Sequence, residues 1–120
     1  NVTFMGSQNQ TQISEWMNQS HLVVIPSRKE GFGLVAIEAL ACGTPVICSD
    51  VGGLKEIVEN GKNGFLFPVE QKDELVERIE RFIQNPETIL PDNCVQSVKQ
   101  FDVLKKVKQI YSVYSNVVGV

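Results

Sequence analysis

Two acids, Glu30 and Glu38, stand with seven residues between them, on either side of Gly31-Phe32-Gly33-Leu34-Val35. A carboxylate accepts two hydrogen bonds from a diol, so each acid can hold a pair of sugar hydroxyls. Gly31 and Gly33 lack a Cβ, and their backbone can approach a ligand closely. Apolar residues at Leu34, Ile37 and Leu40 predict a helix over Gly33–Ala41, stopped at Cys42-Gly43. Such a helix points free N–H groups and its positive dipole end at the preceding turn, a ready site for phosphate. Glu38 lies about 7–8 Å along the helix from Gly33, whereas Glu30 precedes the helix on a loop. The two acids therefore cannot share a proton or chelate one ion. They can grip the two ends of an extended ligand whose phosphates rest between them. A nucleotide-sugar has that shape: a sugar at one end, a ribose diol at the other, a diphosphate in the middle. Each feature also has a plain structural reading, since GxG serves turn geometry in many folds and an early helical acid complements the dipole. Only their combination points to chemistry.

These residues need a strand feeding the turn. Val2-Thr3-Phe4-Met5 alternates apolar and polar before Gly6 and predicts a short strand. Ile13, Trp16 and Met17 fall at helical spacing within Thr11–Gln19, with Ser14 or Thr11 as the cap and Trp16 in the core. Leu22-Val23-Val24-Ile25 is continuously apolar up to Pro26-Ser27, the pattern of a strand buried on both faces of a parallel sheet. Val46-Ile47-Cys48 and Phe65-Leu66-Phe67 predict two more strands. Between them lie the loop Asp50–Gly53, a short helix over Leu54–Glu59 and the turn-rich Asn60–Gly64. Glu70–Gln84 is amphipathic, with Leu75, Ile79, Phe82 and Ile83 on its apolar side, and Asn85-Pro86 ends it. A looser stretch follows, then a last helix over Phe101–Val117. Strands and helices alternating about every 20 residues mean an α/β fold. The expected architecture is a partial Rossmann-like parallel sheet of about four strands with flanking helices. Ligands in such sheets sit at the carboxyl ends of strands, here Gly6–Asn9, Pro26–Gly33 and Ser49–Gly53.

Composition sets the outer bounds. The 120 residues are 42% hydrophobic and 21% charged, as expected for one globular domain with a modest core. Lys and Arg number 11 against 14 Asp and Glu, for a net charge of -3. That argues against a nucleic-acid partner, which calls for a basic stripe. No apolar run approaches the ~18 residues of a membrane span, and the first ten residues lack the regions of a signal peptide. Cys42, Cys48 and Cys94 form neither a disulfide framework nor a CxxC pair and read as free thiols of a reducing cytosol. No His, Cys or acid cluster suggests a metal. The chain opens on Asn1, and the expectation is a piece of a longer protein.

Three segments together resemble one family: Glu30-Gly-Phe-Gly-Leu-Val-Ala-Ile-Glu38-Ala-Leu-Ala-Cys-Gly-Thr-Pro-Val46, Ser49-Asp50-Val51-Gly52-Gly53, and Asn60-Gly61-Lys62-Asn63-Gly64-Phe65-Leu66. They are similar to the group-1 family of retaining glycosyltransferases with the GT-B fold, over nearly residues 1 to 84. The resemblance implies that Glu30 contacts the transferred sugar beside its anomeric carbon, as the catalytic acid. It implies that Glu38 binds the ribose hydroxyls. Gly31, Phe32, Gly33, Leu34 and Val35 fall in the donor loop, the last three as backbone donors to the distal phosphate and sugar. Thr3 within Val2–Phe4, with Gly6-Ser7, resembles the stretch framing the base. Gly52 and Gly53 match a loop near the cleft floor. The implied activity is transfer of a sugar from a nucleotide-diphosphate-sugar to an acceptor hydroxyl in polysaccharide or glycolipid synthesis, without a cofactor and without a metal.

The departures matter equally. The family's donor domain has a first βα turn whose Arg and Lys neutralise the diphosphate, and no residues here correspond. The domain that holds the acceptor glycan or lipid has no counterpart either. Residues 1–120 then form a single incomplete nucleotide-sugar-binding domain, the last two-thirds of a donor-binding one. It should bind donor weakly and not turn over, because cationic stabilisation of the leaving group is a major part of catalysis. Arg28 and Lys29 read as surface residues rather than substitutes for the missing charges. His21 reads as a packed or capping residue, Asp50 as part of a strand-end loop, and Tyr111 and Tyr114 as packing of the last helix. In a strand order of 3-2-1-4-5-6 the strand at residues 2–5 would be the third and would lack its neighbours. Open edges invite pairing, so a rearranged sheet or a homodimer through those edges is expected. The expected location is the cytoplasm, with peripheral association of the full protein at the inner membrane face. Two other readings stand: a flavodoxin-like binding module, which would want an acid where Gly6 stands, and an epimerase of the same architecture.

Overall fold

Continuous apolar sequence marks the middle of the sheet. The computed structural model describes residues 2–29 and 31–101. Its three strands, β1 (Val23–Ile25), β2 (Val46–Ser49) and β3 (Gly64–Phe67), form one parallel sheet in the order β1-β2-β3. All four residues of β2 are buried, because β1 and β3 cover its edges and helices cover its faces. Val24 stands opposite Ile47, and Ile47 opposite Phe65. At the carboxyl edge the Ser49 hydroxyl donates to the Ile25 carbonyl at 3.4 Å.

The helices are α1 (Gln10–Gln19), α2 (Leu34–Ala41), α3 (Leu54–Ile57), α4 (Lys72–Gln84) and α5 (Pro91–Val98). The centre of the core is α2, whose Ala36, Ile37, Ala39 and Leu40 are fully buried. The Thr44 hydroxyl, just beyond α2, donates to the Met17 carbonyl at 2.7 Å and fixes α1 against it. Cys48 and Cys94 are buried and Cys42 half-buried, and none of the three is in a disulfide. Burial pushes the Cys94 thiol up to about 11.

Several expectations need correction. Val2–Met5 forms no strand and its side chains are exposed, Phe4 to 95%; a strand needs a hydrogen-bonded neighbour, and none of the described residues supplies one. Among the described residues the sheet thus has three strands rather than about four. The cap of α1 is Asn9, not Thr11 or Ser14: the Gln12 amide donates to Asn9 Oδ1 at 2.8 Å, and the Asn9 amide donates back to Gln12 Oε1 at 3.0 Å. Trp16 is 45% exposed, because Ile13 and Met17, one turn apart, already fill the buried face. Ile83 is likewise exposed, off the stripe made by Leu75, Ile79 and Phe82. His21 is exposed rather than packed. The looser stretch after Pro86 contains α5, which begins with Pro91 in its first turn. Of the last helix, Phe101 closes a 3-10 turn, Lys99–Phe101; the remainder, including Tyr111 and Tyr114, lies outside the described residues.

Candidate functional site

The carboxyl ends of β1 and β2 each lead into a loop, and two glycines make these loops meet. Gly33 caps α2 in the left-handed region, with φ 68° and ψ 28°. A Cβ there would also lie 2.3 Å from Ile57 Cδ1. Gly33 is therefore required twice, by its own backbone and by its neighbour. A Cβ on Gly53 would lie 2.9 Å from the Gly31 carbonyl oxygen and 3.2 Å from the Phe32 carbonyl carbon. The loop after β2 is thus stacked backbone to backbone on the loop after β1. Gly31 itself faces open space, so packing does not impose its lack of a side chain.

The first turn of α2 is built to leave donors available. The Ile37 amide closes it on the Gly33 carbonyl at 3.1 Å. The amides before it have no acceptor within the helix, and Gly33 offers no side chain to cap them. Phe32 and Val35 are exposed and Leu34 is half-buried beside this turn. Glu38 is half-buried and shares the less buried stripe of α2 with Leu34 and Val35, four and three residues earlier. Helical Cα–Cβ bonds tilt toward the amino end, which favours a carboxylate reaching back toward the turn. On its other side stands Cys42, whose thiol is raised first by burial and then by the Glu38 charge.

Glu30 lies outside the described residues. Gly31, Phe32, Gly33, Leu34 and Val35 come together at the amino end of α2, and Glu38 lies one turn further along the helix. Thr3 and Gly6 do not join them through any strand, because residues 2–5 stay outside the sheet. Arg28 is a surface residue, paired with Glu70 at 2.9 Å. Asp50 sits 4.0 Å from Lys55, and its amide donates to the Phe67 carbonyl at 2.9 Å, as fits a strand-end loop. No motif of the sequence singles out Ile57, yet it forms the wall behind Gly33. Among the described residues no His, Cys, Asp and Glu group could hold a metal, and no helix is long and apolar enough to cross a membrane.

A parallel sheet with a glycine-capped helix at its carboxyl end defines a Rossmann-like α/β class. Residues 1–101 match the family described as glycosyl transferases group 1, and the chain belongs to that family. A glycosyltransferase of Methanocaldococcus jannaschii is 37% identical over 115 residues, covering 94% of this chain and 33% of the relative. The sucrose-phosphate synthase of Thermosynechococcus elongatus superposes with a TM-score of 0.79 at 34% identity, over 97% of this chain and 31% of the other. The HepE protein of Anabaena, in complex with UDP and glucose, gives 0.75 at 32% identity, over 96% and 32%. The chain therefore spans about a third of the length of these proteins.

Proposed function

We propose that this chain is the donor-binding part of a retaining glycosyltransferase, a single incomplete nucleotide-sugar-binding domain. The observation that carries the reading is the uncapped start of α2, facing a turn where Gly33 admits no side chain, with Glu38 on the adjoining stripe. Amides of Gly33, Leu34 and Val35 hold the distal phosphate, and Glu38 accepts from the ribose hydroxyls. In transfer, the bond between the anomeric carbon and the diphosphate oxygen breaks as the acceptor oxygen bonds to the same face, and the acceptor hydroxyl's proton passes to the departing diphosphate oxygen. The departing diphosphate is stabilised by the helix amides. Glu30, assigned on its motif alone, orients the sugar and offsets positive charge at the anomeric carbon. The HepE complex with UDP and glucose supports a uridine diphosphate donor. The acceptor, a glycan or lipid hydroxyl, belongs to the part of the protein beyond this chain, as does any contact with a membrane.

The test is titration of the chain with UDP, UDP-glucose and a GDP-sugar, read by calorimetry or amide shifts. Weak saturable binding without sugar transfer is expected. Glu38→Ala should weaken UDP about tenfold, the worth of charged hydrogen bonds to a diol, and leave 2′,3′-dideoxy-UDP unaffected. Equal UDP affinity in both proteins would remove the ribose role. Absence of saturable binding by any nucleotide would overturn the reading.

A further inference from the structure

The helix α3 is one turn long, and an isolated turn does not hold itself. Its two ends are fixed from outside. At the amino end, Gly53 lies against the Gly31 and Phe32 backbone, and Ile57, the last residue of α3, places its Cδ1 in the space a Gly33 side chain would need. At the carboxyl end, Asn63 is fully buried and its side chain is engaged three times. Its Nδ2 donates to the Ile57 carbonyl and to Ser97 Oγ, both at 3.0 Å, and its Oδ1 accepts from the Glu59 amide at 2.8 Å. The Ser97 hydroxyl in turn donates to the Cys94 carbonyl at 2.7 Å. A buried amide whose donors and acceptor are all used has one orientation, and losing it strands backbone groups without partners.

We infer that Asn63 and Ile57 are positioning residues of the donor site. Asn63 caps α3 and ties it to α5, and Ile57 of α3 sets the position of the Gly33 turn that presents the phosphate-binding amides. The inference rests on the donor-binding reading above. It accounts for a fully buried polar residue in a turn where Asn60 and Gly61 are exposed.

The experiment uses Asn63→Ala and the milder Ile57→Val, which removes only the methyl group against Gly33. Phe82→Leu serves as a control, a core change in α4 on a side chain lining a cavity with His21 and Pro45 at the opposite end of the strands. Each variant is melted, titrated with UDP by amide shifts, and followed by hydrogen exchange at Ile37, whose amide closes the turn on the Gly33 carbonyl. Asn63→Ala and Ile57→Val should weaken UDP by about tenfold, the equivalent of one charged hydrogen bond, and speed exchange at the Ile37 amide. Phe82→Leu should lower the melting temperature without either change. Should Asn63→Ala not fold, Ile57→Val decides alone. Wild-type affinity and exchange in a folded Ile57→Val would overturn the inference. If the wild-type chain binds no UDP, the functional reading fails instead, and the exchange rates still decide the positioning role.

Discussion

At the scale of single residues, the two glycines of the candidate turn are unequal. The sequence presents Gly31 and Gly33 alike, as places where backbone meets ligand. The structure separates them: Gly33 is left-handed and pressed on Ile57, whereas Gly31 faces open space. Gly33→Ala incurs about 1–2 kcal/mol for the left-handed backbone and a further cost for displacing Ile57. Urea unfolding should therefore show a loss above about 2 kcal/mol, against a smaller loss for Gly31→Ala. Ile57→Val should recover part of the Gly33→Ala loss, since it removes the colliding methyl group, and a double-mutant cycle would measure that coupling. The type and spacing of Glu38, Gly33 and their neighbours were legible in the sequence because they lie on one local strand-to-helix segment. Ile57 and Asn63 were not, because their contacts with the turn and with Ser97 of α5 span 24 and 34 residues of chain.

At the scale of elements, local signals carried furthest where periodicity was long. The apolar face of α4 and the cores of β2 and β3 follow from pattern alone. The helix α5 did not, since eight residues with Cys94 and Val98 buried give one apolar repeat; its readable sign was Pro91 after Leu90. The entry to α4 holds another feature invisible to pattern. Glu70 adopts φ 64°, a conformation that costs a non-glycine residue roughly 1–2 kcal/mol. Its carboxylate pairs with Arg28, but both side chains are largely exposed, and such a pair contributes about 0–1 kcal/mol. Strain outweighs attraction, so Glu70→Gly should stabilise the chain by about 0.5–1 kcal/mol. That corresponds to a rise of several degrees, roughly, in melting temperature for a domain of this size. High salt should raise the gain slightly by screening the pair in the parent protein. A fall in melting temperature would mean that the Arg28 contact holds the turn.

At the scale of the whole molecule, the sheet of the described residues is open along β1. The Val23 amide donates to the Pro45 carbonyl at 3.0 Å, and successive residues of a strand alternate their hydrogen-bonding direction. The amide and carbonyl of Val24 therefore point away from β2, where no strand lies among the described residues. The apolar run Leu22–Ile25 has the composition of a strand covered on both sides, yet Val24 is 37% exposed. Nearby in sequence, Val2 and Phe4 are 83% and 95% exposed in a segment that alternates like a strand. An open edge and an unpaired apolar segment on the same chain can satisfy each other between two copies. Light scattering should accordingly show a concentration-dependent dimer. Val24→Lys places a charge on the edge and should shift the chain toward monomer, as charged edge strands do. Phe4→Ser should do the same from the other partner of the contact. A monomer at every concentration would mean that three edge residues are too few to hold a second copy.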